Sequence, residues 1–158
     1  KVVRRLLQRE EDLKEYYSSV LSAFELDDGH FLHKEDKSFF EKMMQIIDSH
    51  IQNTDLSVEL LSSSLGYSTR QFYRKLKNVT EKTPADIIRE YRLTIVERLL
   101  LTTQLSIEEI MDKTGFSNRG TFYKAFAQKF EMTPKQYRNI KTKDVHDASE
   151  EGGGTMNV

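Results

Sequence analysis

The sequence predicts an all-α protein of about seven helices, arranged as two helix-turn-helix subdomains joined by a long helix and preceded by an N-terminal amphipathic helix. Three observations predict it. Between Lys37 and Lys141 apolar residues recur every three to four positions, the period of a helix with one buried face. No segment shows the strict alternation of a convincing strand. The chain also repeats itself: Leu56-Ser57-Val58-Glu59 returns as Leu105-Ser106-Ile107-Glu108, and Gly66-Tyr67-Ser68 as Gly115-Phe116-Ser117, at an offset of 49. Phe72-Tyr73-Arg74 returns as Phe122-Tyr123-Lys124, and Thr83-Pro84 as Thr133-Pro134, at an offset of 50, so the second copy carries one inserted residue.

Each element has its own signal. Over residues 1–25, Val3, Leu6, Leu13, Tyr17, Val20 and Phe24 follow a 3-4 spacing and predict an amphipathic helix. The stretch Leu26–Asp36, with Asp27-Asp28-Gly29 and mixed charges, reads as a linker. Phe39, Phe40, Met43, Ile46, Ile47 and Ile51 make the next helix. Asp55 or Ser57 caps its successor, which turns Val58, Leu61 and Leu65 inward and ends at Gly66. Ser68 caps a third, with Phe72, Leu76 and Val79 inside. Pro84 suits the first turn of a long helix, where its missing N–H costs nothing. That helix carries Ile87, Ile88, Tyr91, Ile95, Leu99 and Leu100, and from Pro84 to Thr103 it spans ~30 Å at 1.5 Å per residue. Ser106 caps a helix with Ile107 and Ile110 that ends at Gly115; Ser117 caps the next, with Phe122, Phe126 and Phe130 inside. Pro134 opens a last short helix ending near Lys141, and the tail with its Glu-Glu-Gly-Gly-Gly run is expected to be disordered. The chain thus divides into an N-terminal helix and linker (1–36), a double helix-turn-helix domain (37–141) and a tail (142–158).

Composition narrows the function classes. There is no Cys, which excludes disulfides and thiolate metal sites, and the four His residues (30, 33, 50 and 146) show no ligand spacing. No metal and no cofactor is expected. Paired carboxylates in a cleft, a Ser-His-Asp or Cys-His arrangement and a phosphate-binding Gly loop are all missing, so nothing asks for catalysis. The apolar runs are too short to cross a bilayer. The chain opens on Lys1 and not on Met, as a piece of a longer protein would. The net charge of −1 hides a division: residues 37–141 hold 17 Lys and Arg against 12 Asp and Glu, a balance of +5, and the flanks carry −6. A basic middle with acidic flanks suits a duplex-binding module with separate tails.

The repeat carries the functional argument. Each copy is helix, tight Gly turn, Ser-capped helix, then Thr-Pro and another helix. Gly permits the left-handed backbone of a tight turn, the Ser cap satisfies orphan N–H groups, and the outer face of the second helix is free to enter a major groove. On the first such helix the outward candidates are Ser68, Thr69, Arg70, Gln71, Tyr73, Arg74 and Lys77; on the second they are Ser117, Asn118, Arg119, Thr121, Tyr123 and Lys124. Arg reads guanine through O6 and N7, and Gln71 suits adenine unless its side chain lies along the backbone. Ser68 and Ser117 cap, and their helix N-termini also suit phosphates. Lys129, Lys135 and Arg138 are candidates for phosphate only, and Gly120 weakens the second reading face. Tyr73 and Tyr123 suit either that face or the edge of the core. A protein-interaction module, the alternative, needs apolar outer faces; these are polar and basic.

From Phe39 to Lys141 the chain resembles the AraC/XylS family of transcriptional regulators. Gly115-Phe116-Ser117, Phe122-Tyr123-Lys124-Ala125-Phe126 and Thr133-Pro134-Lys135-Gln136-Tyr137-Arg138 are similar to the family's signature stretch, and Arg92-Leu93 followed by Leu99-Leu100 to its connecting helix. The resemblance implies seven helices, with the third and sixth entering adjacent major grooves, and it places Arg70, Tyr73 and Arg74 toward bases and nearby phosphates. It implies sequence-specific binding of double-stranded DNA and transcription regulation in the bacterial cytoplasm, with RNA polymerase as a partner and a homodimer formed through other parts of the full-length protein. Glu81 and Glu131 depart from the pattern, standing where a Gly often precedes Thr-Pro; Met111 stands where a small residue is common, and Val96 where Ala is. These departures imply local repacking. Arg4-Arg5-Leu6-Leu7 and Glu15-Tyr16-Tyr17-Ser18 resemble the connector that follows a receiver domain in hybrid two-component regulators, which makes the chain the output end of a sensor protein.

Overall fold

A computed structural model describes the backbone of residues 2–28 and 32–151, and the side chains of residues 9–26 and 32–144. Eight helices and no strand occur among the described residues: α1 (Val2–Asp28), α2 (Lys34–Ser49), α3 (Val58–Ser64), α4 (Thr69–Lys77), α5 (Pro84–Thr102), α6 (Ile107–Lys113), α7 (Arg119–Phe130) and α8 (Pro134–Glu151). The all-α class stands as read. Two compact units form, with their boundary between Arg92 and Leu93 inside α5.

The first unit closes around Phe39, Phe40, Met43, Met44 and Ile47 of α2, Leu61 of α3, Phe72 and Leu76 of α4, and Ile87, Ile88 and Tyr91 of α5. Helix α1 belongs to this core and is no detached linker helix. It buries Leu13, Tyr16, Val20 and Leu21. Tyr16, rather than the expected Tyr17, faces inward. Its ring lies 5.6 Å from that of Tyr91, and its hydroxyl donates to Glu90 at 2.9 Å. Arg9 of α1 donates from Nε to the Asp48 carboxylate at 3.2 Å, and Tyr91 donates to the same carboxylate at 2.6 Å. A buried hydroxyl needs such a partner, and these bonds fix α1 against α2 and α5. Val3 and Leu6 lie outside the described side chains. The expected linker shrinks from both ends, because α1 runs on to Asp28 and α2 already starts at Lys34.

The second unit closes around Leu93, Val96, Leu100, Ile110, Met111, Phe122, Ala125, Phe126 and Tyr137. Phe126, Phe130 and Tyr137 pack ring against ring at 4.5–5.8 Å. Val96 and Met111, two of the four departures from the family pattern, are both absorbed into this core. Arg138 has a structural role that the sequence does not show. Its guanidinium donates to the carbonyls of Leu100, Leu105 and Thr103 at 3.0, 2.8 and 3.3 Å. A helix leaves its last carbonyls without internal partners, and Arg138 satisfies them where α5 ends. It acts as a structural cap on that end of the helix. Arg92 does similar work in the first unit, donating to the Asn53 carbonyl at 2.7 Å.

Two further expectations are corrected. Helix α8 continues past Lys141 to Glu151. Between those residues the sequence holds neither Gly nor Pro, so nothing stops the helix until the glycine run. Of the tail expected to be disordered, residues 142–151 are therefore helical, and residues 152–158 lie outside the described residues. Glu131 adopts φ 60° and ψ 24°, the left-handed cap that glycine fills most easily, at one of the two positions that depart from the pattern's Gly. Glu81 shows no such backbone, since α4 ends at the right-handed Asn78.

Candidate nucleic-acid interface

Two short turns build the site. Gly66 and Gly115 both take positive φ, 79° and 78°, as the tight turn after α3 and after α6 requires. A helix then starts on a capping side chain in each copy. Ser68 Oγ accepts from the Gln71 N–H at 3.2 Å, and Gln71 Oε1 accepts from the Ser68 N–H at 3.0 Å, a complete capping box. In the second copy the cap is Asn118, whose Oδ1 accepts from the Thr121 N–H at 2.9 Å. Ser117, expected as the cap, is exposed and lies one residue outside it. The inserted residue explains the shift: Ser and Asn both make good caps, and the helix register follows the downstream phenylalanines. Ser57 and Ser106 cap α3 and α6 in the same way. Thr83 and Thr133 cap α5 and α8, accepting from the N–H three residues on at 3.1 and 3.2 Å. The recurring Thr-Pro pairs carried that signal.

Inward, Phe72 and Leu76 anchor α4, and Phe122, Ala125 and Phe126 anchor α7. This fixes what each helix turns outward. On α4 the structure brings Thr69, Arg70, Tyr73, Arg74 and Lys77 to one exposed side, with Ser68 at its start. Among the described residues, Arg70, Arg74 and Lys77 have no ion-pair or hydrogen-bond partner. Lys75 is drawn aside over the rings of Tyr67 and Phe39, at 5.3 and 5.9 Å. Of the two roles open to Gln71, the side chain takes the one along the backbone: reading adenine needs both its amide oxygen and its amide nitrogen, and that oxygen closes the capping box.

On α7, Arg119, Thr121 and Lys124 are exposed and Tyr123 is half-buried. Counted from the caps, Arg119 matches Thr69, Gly120 matches Arg70, Tyr123 matches Tyr73 and Lys124 matches Arg74. The position of Arg70 therefore has no side chain in the second copy, and Arg119 stands one residue before it. Arg119 instead pairs with Glu108 of α6 and lies 5.1 Å from the Tyr123 ring centroid. Tyr73 and Tyr123 each pack edge-on against the preceding phenylalanine, at 6.0 and 5.4 Å. Both close the rim of the core, and 44% of Tyr73 stays exposed beside the basic side chains. Of the residues read as phosphate candidates, Lys135 is exposed, and Lys129 lies over Phe130 at 5.5 Å.

Among the described residues no group of His, Cys, Asp or Glu is placed to hold a metal ion, and no helix is long and apolar enough to cross a membrane.

A family model described as a helix-turn-helix domain matches residues 61–140. The chain is 34% identical over 104 residues, 66% of its length, to histidine kinase P4 of Formosa agariphila, of which it spans 8%. It is 30% identical over 103 residues, 65% of its length, to the regulatory protein SoxS of Escherichia coli, of which it covers 95%. The C-terminal domain of the two-component response regulator yesN from Fusobacterium nucleatum superposes with a TM-score of 0.57 at 28% identity, covering 62% of this chain and 95% of that one.

Proposed function

The chain belongs to the AraC-type helix-turn-helix family, and from that premise we propose that it binds duplex DNA sequence-specifically and regulates transcription, with α4 and α7 reading successive major grooves. The observation that carries the reading is the paired construction. Twice, a left-handed glycine turn is followed by a side-chain-capped helix with aromatic residues inward and polar or basic residues outward. Such a helix meets base edges with its outer face, while its flanks hold phosphates. Arg70, Arg74 and Lys77 form the stronger reading face, with Tyr73 beside them; Lys124 and Arg119 form the weaker one.

The wider protein follows from the same premise. The match to a histidine kinase, of which this chain spans a small part, supports an output module of a hybrid two-component regulator, acting in the cytoplasm. RNA polymerase is its partner, and a homodimer forms through other parts of the full-length protein. Packing of α1 into the first unit supports a short mechanical path from any preceding domain to α4.

Selection of the 158-residue chain against a random pool of duplex DNA tests the proposal. Enrichment of two short blocks about one helical turn apart, the first more sharply defined, is expected. Salt-sensitive binding with no enriched sequence counts against base reading; no binding at low salt overturns the proposal.

A further inference from the structure

The inserted residue changes the chemistry of the second recognition helix. Counting from the N-cap, α4 carries Thr69 then Arg70, whereas α7 carries Arg119 then Gly120. The cation is displaced by one residue, about 100° around a helix of 3.6 residues per turn. In its new place Arg119 meets the preceding helix. Its Nη1 donates to Glu108 Oε1, its Nη2 donates to the Tyr123 hydroxyl at 3.3 Å, and its guanidinium lies over the Tyr123 ring. The first copy holds Glu59 and Arg70 at the same sequence spacing as Glu108 and Arg119. Among the described residues those two form no ion pair. The clasp is thus a property of the second copy and does not follow from the motif alone.

We infer that Glu108 is a specificity-determining residue, whose carboxylate competes with DNA phosphates for Arg119, so that Arg119 strengthens binding only where a guanine edge replaces the carboxylate. The inference rests on the proposed DNA-reading role of α7. Both side chains are 64% exposed, and an ion pair so exposed biases an equilibrium by no more than about fivefold. A phosphate oxygen offers Arg119 the same chemistry that Glu108 already supplies, so the exchange gains little. Guanine offers two acceptors in one plane, which suit the guanidinium fork better. The Glu108 carboxyl accepts from its own backbone N–H and from Arg119, which hold it below the usual carboxylate range. A glutamate carboxylate is ionised near neutral pH without such help, so Glu108 repels phosphate whenever Arg119 has left it. The net result is a penalty on complexes that use Arg119 without a matching base, which raises discrimination at a small cost in affinity.

The test compares the 158-residue chain with Glu108→Gln, Arg119→Ala, the double variant and Glu109→Gln. Each is titrated against the selected duplex and against a random duplex at one fixed salt concentration. Glu108→Gln is expected to tighten the random duplex about two- to fivefold and the selected duplex less, lowering their ratio. In the Arg119→Ala background the same substitution is expected to leave the ratio unchanged, because a double-mutant cycle isolates the pair. Glu109→Gln removes an equal charge from the next residue of α6 and should not lower the ratio. Equal tightening of both duplexes, persistence of the effect without Arg119, or the same effect from Glu109→Gln overturns the inference while leaving DNA recognition intact. A wild-type chain that fails to prefer the selected duplex overturns the proposed function itself, and this inference with it.

Discussion

Replacing Glu131 by glycine should stabilise the protein, and the same replacement at Glu81 should destabilise it. The two residues occupy the same place in the repeat, each two residues before the threonine of a Thr-Pro pair. Their backbones differ. Glu131 is the single non-glycine residue with positive φ among the described residues, at 60°. A left-handed L-residue costs roughly 1–2 kcal/mol through the clash of Cβ with the following carbonyl. Glycine removes that clash but adds roughly 0.5–1 kcal/mol of unfolded-state freedom. The balance for Glu131→Gly is a gain of about 0–1.5 kcal/mol. For Glu81→Gly only the second effect applies, a loss of about 0.5–1 kcal/mol. Urea midpoints followed by far-ultraviolet circular dichroism separate the two if the slope m is unchanged; in melting temperature each kcal/mol moves a chain of this size about 2–4 °C. Midpoints that shift in the same direction would refute the assignment of left-handed strain to Glu131 alone.

Other consequences follow from the same contacts. Arg138→Ala should lower stability by about 2–4 kcal/mol, since a charged donor to several backbone carbonyls is lost, while leaving the salt dependence of DNA binding unchanged; Lys124→Ala should do the opposite, reducing the salt slope by about one. Tyr91→Phe should cost about 1.5–3 kcal/mol, the range for a hydrogen bond to a charged partner, measured by chemical denaturation; a neutral result would mean that Asp48 is satisfied by Arg9 alone. Alkaline pH should unfold the protein early. Burial first, then the bond to Glu97, pushes the Tyr137 hydroxyl up to about 12, and burial also raises Tyr16 and Tyr91. A raised tyrosine pKa means stability that is complete below the unfolded value near 10 and is lost as pH rises through the folded one. Stability should therefore fall between about pH 10 and 12, and Tyr137→Phe should flatten that fall; an unchanged slope contradicts the role of Tyr137.

Much of this architecture is legible in the sequence because its signals are local. A glycine that must take positive φ, a Ser one turn before an apolar residue and a proline at a first helical position each act within four residues. Gly66, Ser68 and Pro84 could thus be read directly. The errors fall where the deciding partner is distant or where two local signals tie. Tyr16 and Tyr17 fit the spacing of α1 almost equally, and Glu90, which selects Tyr16, lies 74 residues away. Arg138 looks like any surface cation until the end of α5 is placed beside it. Ser117 and Asn118 are both sound caps, so the inserted residue could not be located from the repeat alone. That tie decides the candidate site, because it sets which of Arg119 and Gly120 takes the place of Arg70. Gln71 was ambiguous for a related reason, since one amide suits both a capping box and an adenine edge.

The most direct test of the account concerns Arg70, the cation whose place in the second copy is empty of side chain. Wild-type protein and Arg70→Ala are titrated against the selected duplex and against a set carrying every single base-pair substitution, at one salt concentration. The account predicts that Arg70→Ala loses about 1–3 kcal/mol on the selected site and that discrimination disappears at one base position. A loss of the same size on every duplex, the random one included, would contradict base reading by α4 and reduce Arg70 to a phosphate contact.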